Sequence, residues 1–400
     1  MDAYIYDGAR SAFGRFGGVL SSVRPDDLLA TIIRTLHDRN PFEPGEIEDV
    51  VVGCANQAGE DARNVARHAA LRAGLPTHVA AQTVNRLCGS GLAAIVDASR
   101  AVSQKDGDLM FAGGVESMSR APFVMAKAEA AFSRQVRIYD STIGARFPNP
   151  LVEAAFGSDT MPETADNIAE DLGISRERAD AFAACSQTRY ARALERGFVG
   201  PEIVPVELSA RRKESPVIVS QDEHPRPDTT IETLSLLKPL QPGGVVTAGN
   251  ASGVNDGAAA LIIGSLAAGH RRGIEPKVRL VSAAVAGVEP RVMGFGPVPA
   301  SEKALARANL SLDDMDVIEI NEAFAVQVLG CLEKLGLEDN DPRVNPNGGA
   351  IAIGHPLGAS GARLMLAALR QLEAINGRYA LISMCIGVGQ GIAVVIEAPS

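Results

Sequence analysis

A repeated alternation of two periodicities constrains this chain most. Runs with apolar residues at helical spacing, "DDLLATIIRTLHDR" (26–39) and "GSGLAAIVDASRAVSQ" (89–104), are interleaved with short strand-like runs, "EDVVVGCA" (48–55) and "DLMFAGG" (108–114). The same grammar returns near the other end. There "MDVIEIN" (315–321) and "YALISMCIG" (379–387) read as strands, and "EAFAVQVLGCLEKLG" (322–336) and "GASGARLMLAALRQLEA" (358–374) as helices. Such alternation predicts a layered α/β fold, with helices covering the faces of a sheet. A chain of 400 residues is too long for one simple core and predicts two or three units.

The two ends also resemble each other. "SGLAAI" (90–95) and "SGARLML" (360–366) each open an apolar helix with Ser-Gly. Each helix is followed by a strand ending in glycines, "MFAGG" and "ISMCIGVGQG". "DGAAALIIG" (256–264) and "GQGIAVVIE" (389–397) then close the two parts. The stretch between is more polar and irregular, with "RFPNPLVEAAFGSDTMPE" (146–163) and "SARRKESPVIVSQDEHPRPDTT" (209–230), and reads as an inserted loop domain. The expected division is 1–119 plus 249–272 for one half, 120–248 for the insertion, and 273–400 for the other half.

Composition removes several function classes. Acidic residues outnumber basic ones 48 to 38, for a net charge of −10, and no basic tract occurs, so no nucleic-acid partner is expected. Five widely spaced cysteines form no CxxC pair, and the six histidines lack metal-ligand spacing. Neither disulfides nor a bound metal is expected, and a reducing compartment fits. "MDAYIYDGARSAFG" lacks the apolar region of a signal peptide, and no run of apolar residues is long enough to span a membrane, so the expected location is the cytoplasm.

Four residues carry candidate chemistry. Cys88 in "NRLCGSG" precedes a helix start, where unpaired N–H groups and the helix dipole favour a thiolate; the competing reading is a packed thiol. His355 in "GGAIAIGHPLGASGAR" precedes Ser360-Gly361 as Cys88 precedes Ser90-Gly91. Facing helix starts would bring a Cys and a His together, the pairing that activates a sulfur nucleophile; alone, His355 is equally a structural histidine. Cys385 lies where a strand opens into "CIGVGQG", either a core thiol or an active group at a strand end. Asn321 in "INEAFA" stands between a strand and a helix, as helix cap or as donor. "GHPLGASG" lacks the Gly-Lys-Ser/Thr ending of a phosphate loop.

Taken together, these four segments and "VTAGNASGVNDGAAA" (246–260) resemble the thiolase family, in order and over the whole chain. The resemblance implies two similar β/α halves stacked as α-β-α-β-α layers. It implies an acyltransferase in which Cys88 attacks the 3-keto carbon of a 3-oxoacyl-CoA, His355 takes its proton, and Cys385 protonates the leaving enolate and then deprotonates CoA. It implies that Asn321, through a water, and His355 donate to the enolate oxygen, and that the N–H groups of Cys88 and Gly387 hold the tetrahedral adduct. CoA is then a co-substrate, with Arg226 and Ser252 at matching contact positions. No permanently bound cofactor is implied, and the expected assembly is a homotetramer.

One departure concerns the substrate. Acetoacetyl-CoA thiolases carry His-Met-Gly in the insertion, whereas this chain reads "DTMPETADN", with Thr160 and Pro162 at the outer two positions. The insertion instead resembles thiolases of aromatic-compound breakdown that act on 3-oxoadipyl-CoA. Their substrate ends in a carboxylate, for which Arg134, Arg137 and Arg146 are candidate partners. The alternatives are a general 3-ketoacyl-CoA or acetoacetyl-CoA thiolase and, more remotely, a non-catalytic acyl-CoA-binding protein. A condensing synthase or a cysteine hydrolase would not need the second thiol, Cys385.

Overall fold

A computed structural model describes residues 1–208 and 215–399; residues 209–214, at the head of the polar run, lie outside the described residues. Nine main strands form the framework: β1 (Tyr4–Ser11), β2 (Asp49–Gly53), β3 (Ala80–Val84), β4 (Leu109–Ser117), β5 (Asn255–Gly264), β6 (Val278–Gly287), β7 (Val317–Ile320), β8 (Tyr379–Ile386) and β9 (Gln390–Glu397). The order β3-β2-β4-β5-β1 continues through β1 and β6 into β6-β9-β8-β7. The junction is slender, with pairs only at Tyr4–Arg279 and Ile5–Val278.

The two halves share one pairing scheme. β2 runs parallel to β4, and β7 parallel to β8. β4 and β5 are antiparallel, as are β8 and β9. β5 and β1 are antiparallel, as are β9 and β6. In place of β3, the second half has a single parallel bridge between Ile318 and Val344. In each half a parallel pair is extended by antiparallel strands, β5 arriving after the insertion and β9 by a hairpin from β8, so the pairing is mixed.

Eight helices matter for the site: α1 (Pro25–Asp38), α2 (Val65–Ala73), α3 (Ser90–Gln104), α4 (Met161–Leu172), α5 (Arg176–Glu195), α6 (Pro297–Ala308), α7 (Ala325–Leu335) and α8 (Leu357–Ile375). Helices α3 and α8 form the middle layer. Leu92, Ile95, Leu364 and Leu369 pack between Ala112 and Leu261 of one sheet and Ile382 and Val394 of the other. Each such fully buried Leu or Ile contributes about 1.5–3 kcal/mol. The outer face of the first sheet is covered by α1 and α2, through Leu29, Ile33, Ala66 and Ala70. Helices α6 and α7 cover the second, through Ala304, Val326 and Leu329. The result is the α-β-α-β-α stack expected from the repeated grammar.

The repeated Ser-Gly pair has a packing cause. A Cβ on Gly91 would lie 2.3 Å from the Gly358 carbonyl oxygen, and one on Gly361 would lie 2.3 Å from the Leu92 nitrogen. Only glycine lets the two middle helices approach so closely. That contact sets the two helix starts side by side, and both carry chemistry in the segments just before them.

The insertion is tied to both halves. Its helices α4 and α5 place Ala165, Ile168, Ala179 and Phe182 against Val326 and Leu329. At the other side, the buried Arg10 of β1 donates to Glu202 at 2.6 Å and to both oxygens of Asp222 at 2.7 and 2.8 Å. Tyr190 of α5 also donates to Asp222, at 2.6 Å. A buried cation is tolerated only with such complete pairing, so this cluster fixes where the insertion sits.

Candidate active site

Cys88 lies on a tight turn between β3 and α3. Leu87 adopts a left-handed conformation with φ of 46°, uncommon for a residue with a Cβ. Two side chains hold it there. The Leu87 N–H donates to Asn85 Oδ1 at 2.8 Å, and Ser90 Oγ donates to the Leu87 carbonyl at 2.6 Å. Asn85 in turn donates to the Ala55 carbonyl at 3.0 Å, tying the turn to the end of β2.

The turn lies directly on the end of β8. A Cβ on Gly89 would meet Ile386 at 2.6 Å, and one on Gly387 would meet Leu87 at 3.5 Å and Met161 at 3.6 Å. Cys88 is thereby brought beside Cys385, close enough for charge on Cys88 to raise the Cys385 pKa. The backbone N–H groups of Gly387 and Cys88 both act on the Cys88 sulfur. Met161 is the first residue of α4, so the "DTMPETADN" segment comes up beside Gly387 at the end of β8.

The electrostatics correct one expectation. A helix start favours a thiolate, yet burial pushes the Cys88 thiol up to about 11, outweighing the two N–H groups, with Glu116 adding to the rise. Burial likewise lifts the Cys385 thiol well above its usual value, helped by Cys88 and Cys331. The physical reason is that Cys88, half-buried by its accessible surface, loses more by shedding water than a helix end returns. Both sulfurs rest as neutral thiols and need a base to react.

His355 supplies a candidate base. It is buried, 4% exposed, in the loop that enters α8. Its backbone N–H donates to Asn255 Oδ1 at 2.9 Å. Gly354, with φ of 100°, brings the chain so near Asn255 that a Cβ would lie 2.3 Å from that side chain. Nδ1 lies 2.6 Å from Ser360 Oγ, and Nε2 lies 3.4 Å from Asn321 Nδ2. Burial, with a further push from the Arg363 charge, lowers the imidazole to about 4, so at neutral pH it is an uncharged acceptor.

Asn321 follows β7 directly, and its N–H donates to the Ser383 carbonyl of β8 at 3.0 Å. It is not a helix cap, because α7 begins at Ala325 with Phe324 before it. Its Nδ2 faces His355, while its buried Oδ1 meets no partner among the described residues, leaving an acceptor for a water or a ligand. The adjacent Glu322 was not singled out in the sequence. It accepts from Ser186 Oγ at 2.6 Å, Asn345 Nδ2 at 2.9 Å and Ile351 N at 3.1 Å, and so fixes this strand end against α5 and the His355 loop.

Ser252 donates its N–H to the Ala323 carbonyl at 2.9 Å, next to the Asn321 segment. Arg226 is exposed, with its backbone N–H donating to Gln187 Oε1 at 3.0 Å. Arg134 and Arg137 are exposed in the insertion. Arg146 differs: it donates to the carbonyls of Ser141 and Asn56 and forms no ion pair among the described residues. Asn56 belongs to the loop that Asn85 ties to the Cys88 turn.

The structure thus pairs Cys88 with Cys385 at the end of β8, and His355 with Asn321 at the end of β7, the strand beside β8. Comparison with known proteins gives the same arrangement a family. Residues 3–267 match the family described as "Thiolase, N-terminal domain" and residues 274–398 the one described as "Thiolase, C-terminal domain".

The chain belongs to the thiolase family.

As a thiolase it is an acyltransferase. It is 61% identical over 398 residues to the 3-oxoadipyl-CoA/3-oxo-5,6-dehydrosuberyl-CoA thiolase of Escherichia coli strain K12, covering 99% of each chain. Its fold matches the crystal structure of the Bacillus anthracis acetyl-CoA acetyltransferase with a TM-score of 0.93 at 38% identity, covering 100% of this chain and 99% of that one. It matches human mitochondrial 3-ketoacyl-CoA thiolase in complex with CoA with a TM-score of 0.90 at 38% identity, covering 99% and 98%. Among the described residues, no helix of this thiolase is long and apolar enough to cross a membrane.

Proposed function

We propose that this thiolase cleaves 3-oxoadipyl-CoA with free CoA, giving succinyl-CoA and acetyl-CoA, through an acyl group carried on Cys88. The observation that supports the reading is the packing of the Cys88 turn on the Ile386–Gly387 end of β8, the strand that carries Cys385. The substrate assignment is supported by 61% identity to a 3-oxoadipyl-CoA thiolase, against 38% to an acetyl-CoA acetyltransferase. Met161 lies beside Gly387, which supports reading the divergent "DTMPETADN" segment as a wall of the acyl site.

The chemistry runs in two halves. The Cys88 proton passes to His355 Nε2, and the sulfur attacks the 3-keto carbon. The C2–C3 bond breaks, its electron pair leaves as the acetyl-CoA enolate, and Cys385 protonates that carbon. Succinyl-Cys88 and acetyl-CoA result. The Cys385 thiolate next takes the proton of the CoA thiol, CoA sulfur attacks the succinyl carbonyl, and Cys88 leaves, recovering its proton from His355. Protonated His355 and a water on Asn321 Oδ1 donate to the enolate oxygen, and the N–H groups of Cys88 and Gly387 donate to the tetrahedral oxyanion.

The substrates are CoA and 3-oxoacyl-CoA, with CoA lying along the insertion near Arg226 and Ser252. We further read the chain as two halves, 1–119 plus 249–272 and 273–400, around an insertion at 120–248, working in the cytoplasm as a homotetramer without a resident cofactor. The deciding experiment measures CoA-dependent loss of 3-oxoadipyl-CoA, 3-oxohexanoyl-CoA and acetoacetyl-CoA. The dicarboxylate substrate should lead in kcat/KM by roughly tenfold to a hundredfold, as one charge-assisted hydrogen bond of about 1.5–3 kcal/mol provides. Equal efficiency on the neutral chain would leave a general 3-ketoacyl-CoA thiolase.

A further inference from the structure

Glu116, near the end of β4, takes no part in the steps above and is buried, 1% exposed. Its Oε2 accepts from Ala55 N at 2.9 Å and from Gly358 N at 2.8 Å, and its Oε1 from Asn56 N at 3.0 Å. Ala55 is the residue to which Asn85 ties the Cys88 turn. Gly358 lies in the first turn of α8, three residues after His355. One carboxylate therefore touches both the support of the nucleophile and the helix start behind the base, across 242 positions of sequence. We propose that Glu116 is a positioning residue for the thiol chemistry: its carboxylate locks the Cys88 and His355 loops together.

The groups around it fit an anion. Cys54 Sγ lies 3.8 Å from Glu116 and 3.9 Å from Asp61 Oδ2, so the three could be read as a cation site. Three N–H groups already point at the Glu116 oxygens, which is the surrounding of a carboxylate satisfied by donors rather than by a metal. The charged or titratable groups facing Glu116 are Asp61 and Cys54 from the 54–61 loop, and its charge is also felt at Cys88. From the insertion, Arg146 donates to the Asn56 carbonyl of the same loop. Burial lifts the Glu116 carboxyl to about 7 against the pull of the three N–H groups, so the charge is fully present only on the alkaline side of neutrality. That is the range in which Cys88 loses its proton, so the charge opposes thiolate formation.

The inference rests on Cys88 as nucleophile, and its test is independent of the acyl substrate. Folded protein is alkylated with iodoacetamide across a pH series, and the modified Cys88 peptide is followed by mass. Glu116→Gln removes the charge and should move the Cys88 midpoint to lower pH by roughly one unit. Glu116→Asp keeps the charge but shortens the clamp, so the wild-type midpoint should persist while kcat falls about tenfold. An unchanged midpoint in folded Glu116→Gln would reduce Glu116 to a structural cap. If that variant does not fold, Glu116→Asp decides: a shifted midpoint there overturns the proposal, and a wild-type midpoint with lowered kcat supports it. Failure to acylate Cys88 from an acyl-CoA would instead overturn the nucleophile assignment.

Discussion

His355 Nδ1 lies 2.6 Å from Ser360 Oγ, and that hydroxyl donates onward to the Pro356 carbonyl at 3.0 Å. A hydroxyl with its one proton committed to a carbonyl can only accept from the ring, so Nδ1 carries the imidazole proton and Nε2 presents a lone pair toward Asn321. Ser360→Ala should therefore lower kcat about tenfold to a hundredfold, the scale of a hydrogen bond of about 1–3 kcal/mol, with little change in KM. Ser360→Thr should restore most of it. A Ser360→Ala enzyme with wild-type kcat would mean that packing alone orients the ring.

The two thiols should separate in partial reactions. Cys88→Ala should lose turnover by about a thousandfold or more and take up no acyl mass from an acyl-CoA donor. Cys385→Ser should still acylate Cys88 but fail in enolate protonation and in activating CoA, because a hydroxyl holds its proton far more tightly than a thiol. Acyl label on Cys385, or equal loss of both partial reactions, would reverse the roles.

Arg146 is a candidate partner for the substrate carboxylate because it holds the 54–56 loop, which Asn85 ties to the Cys88 turn. Its guanidinium is held by the Ser141 and Asn56 carbonyls, which leave its charge unneutralised. Arg146→Ala should cut kcat/KM for 3-oxoadipyl-CoA by roughly tenfold while sparing 3-oxohexanoyl-CoA. A parallel fall on both substrates would make it a support for the 54–56 loop instead.

Stability should fall in acid through His355. Its folded pKa, about 4, is below the unfolded value near 6.5. The unfolded chain then binds the proton first, so stability is fully present above about pH 6.5 and is lost as pH drops toward 4, by about 2 kcal/mol at pH 5. His224, lowered to about 4 by burial and the Arg226 charge, acts in the same direction. Urea midpoints at pH 7.5 and 5.0 should differ less in His355→Asn than in the wild type. An equal acid loss in both would assign the effect to other groups.

Much of this was legible in the chain itself. Periodicity alone marks the strands and helices, because burial on one face writes itself into residue order, and "MDVIEIN" and "YALISMCIG" became β7 and β8 as read. Cys88, Asn321, His355 and Cys385 stood out because a reactive group needs small neighbours to admit a substrate. Glu116 and Glu322 did not stand out, and Ser360 was marked only as part of a helix opening, not as a partner of His355. A buried carboxylate reveals itself only by the N–H groups it meets, and those lie far away in sequence. The sequence by itself determined the layers and named the candidate reactive side chains. Only the tertiary structure decided their state: burial outweighs the helix start and leaves Cys88 a thiol, and Ser360 selects which imidazole nitrogen is free. Both depend on what closes around a group, which residue order does not encode locally.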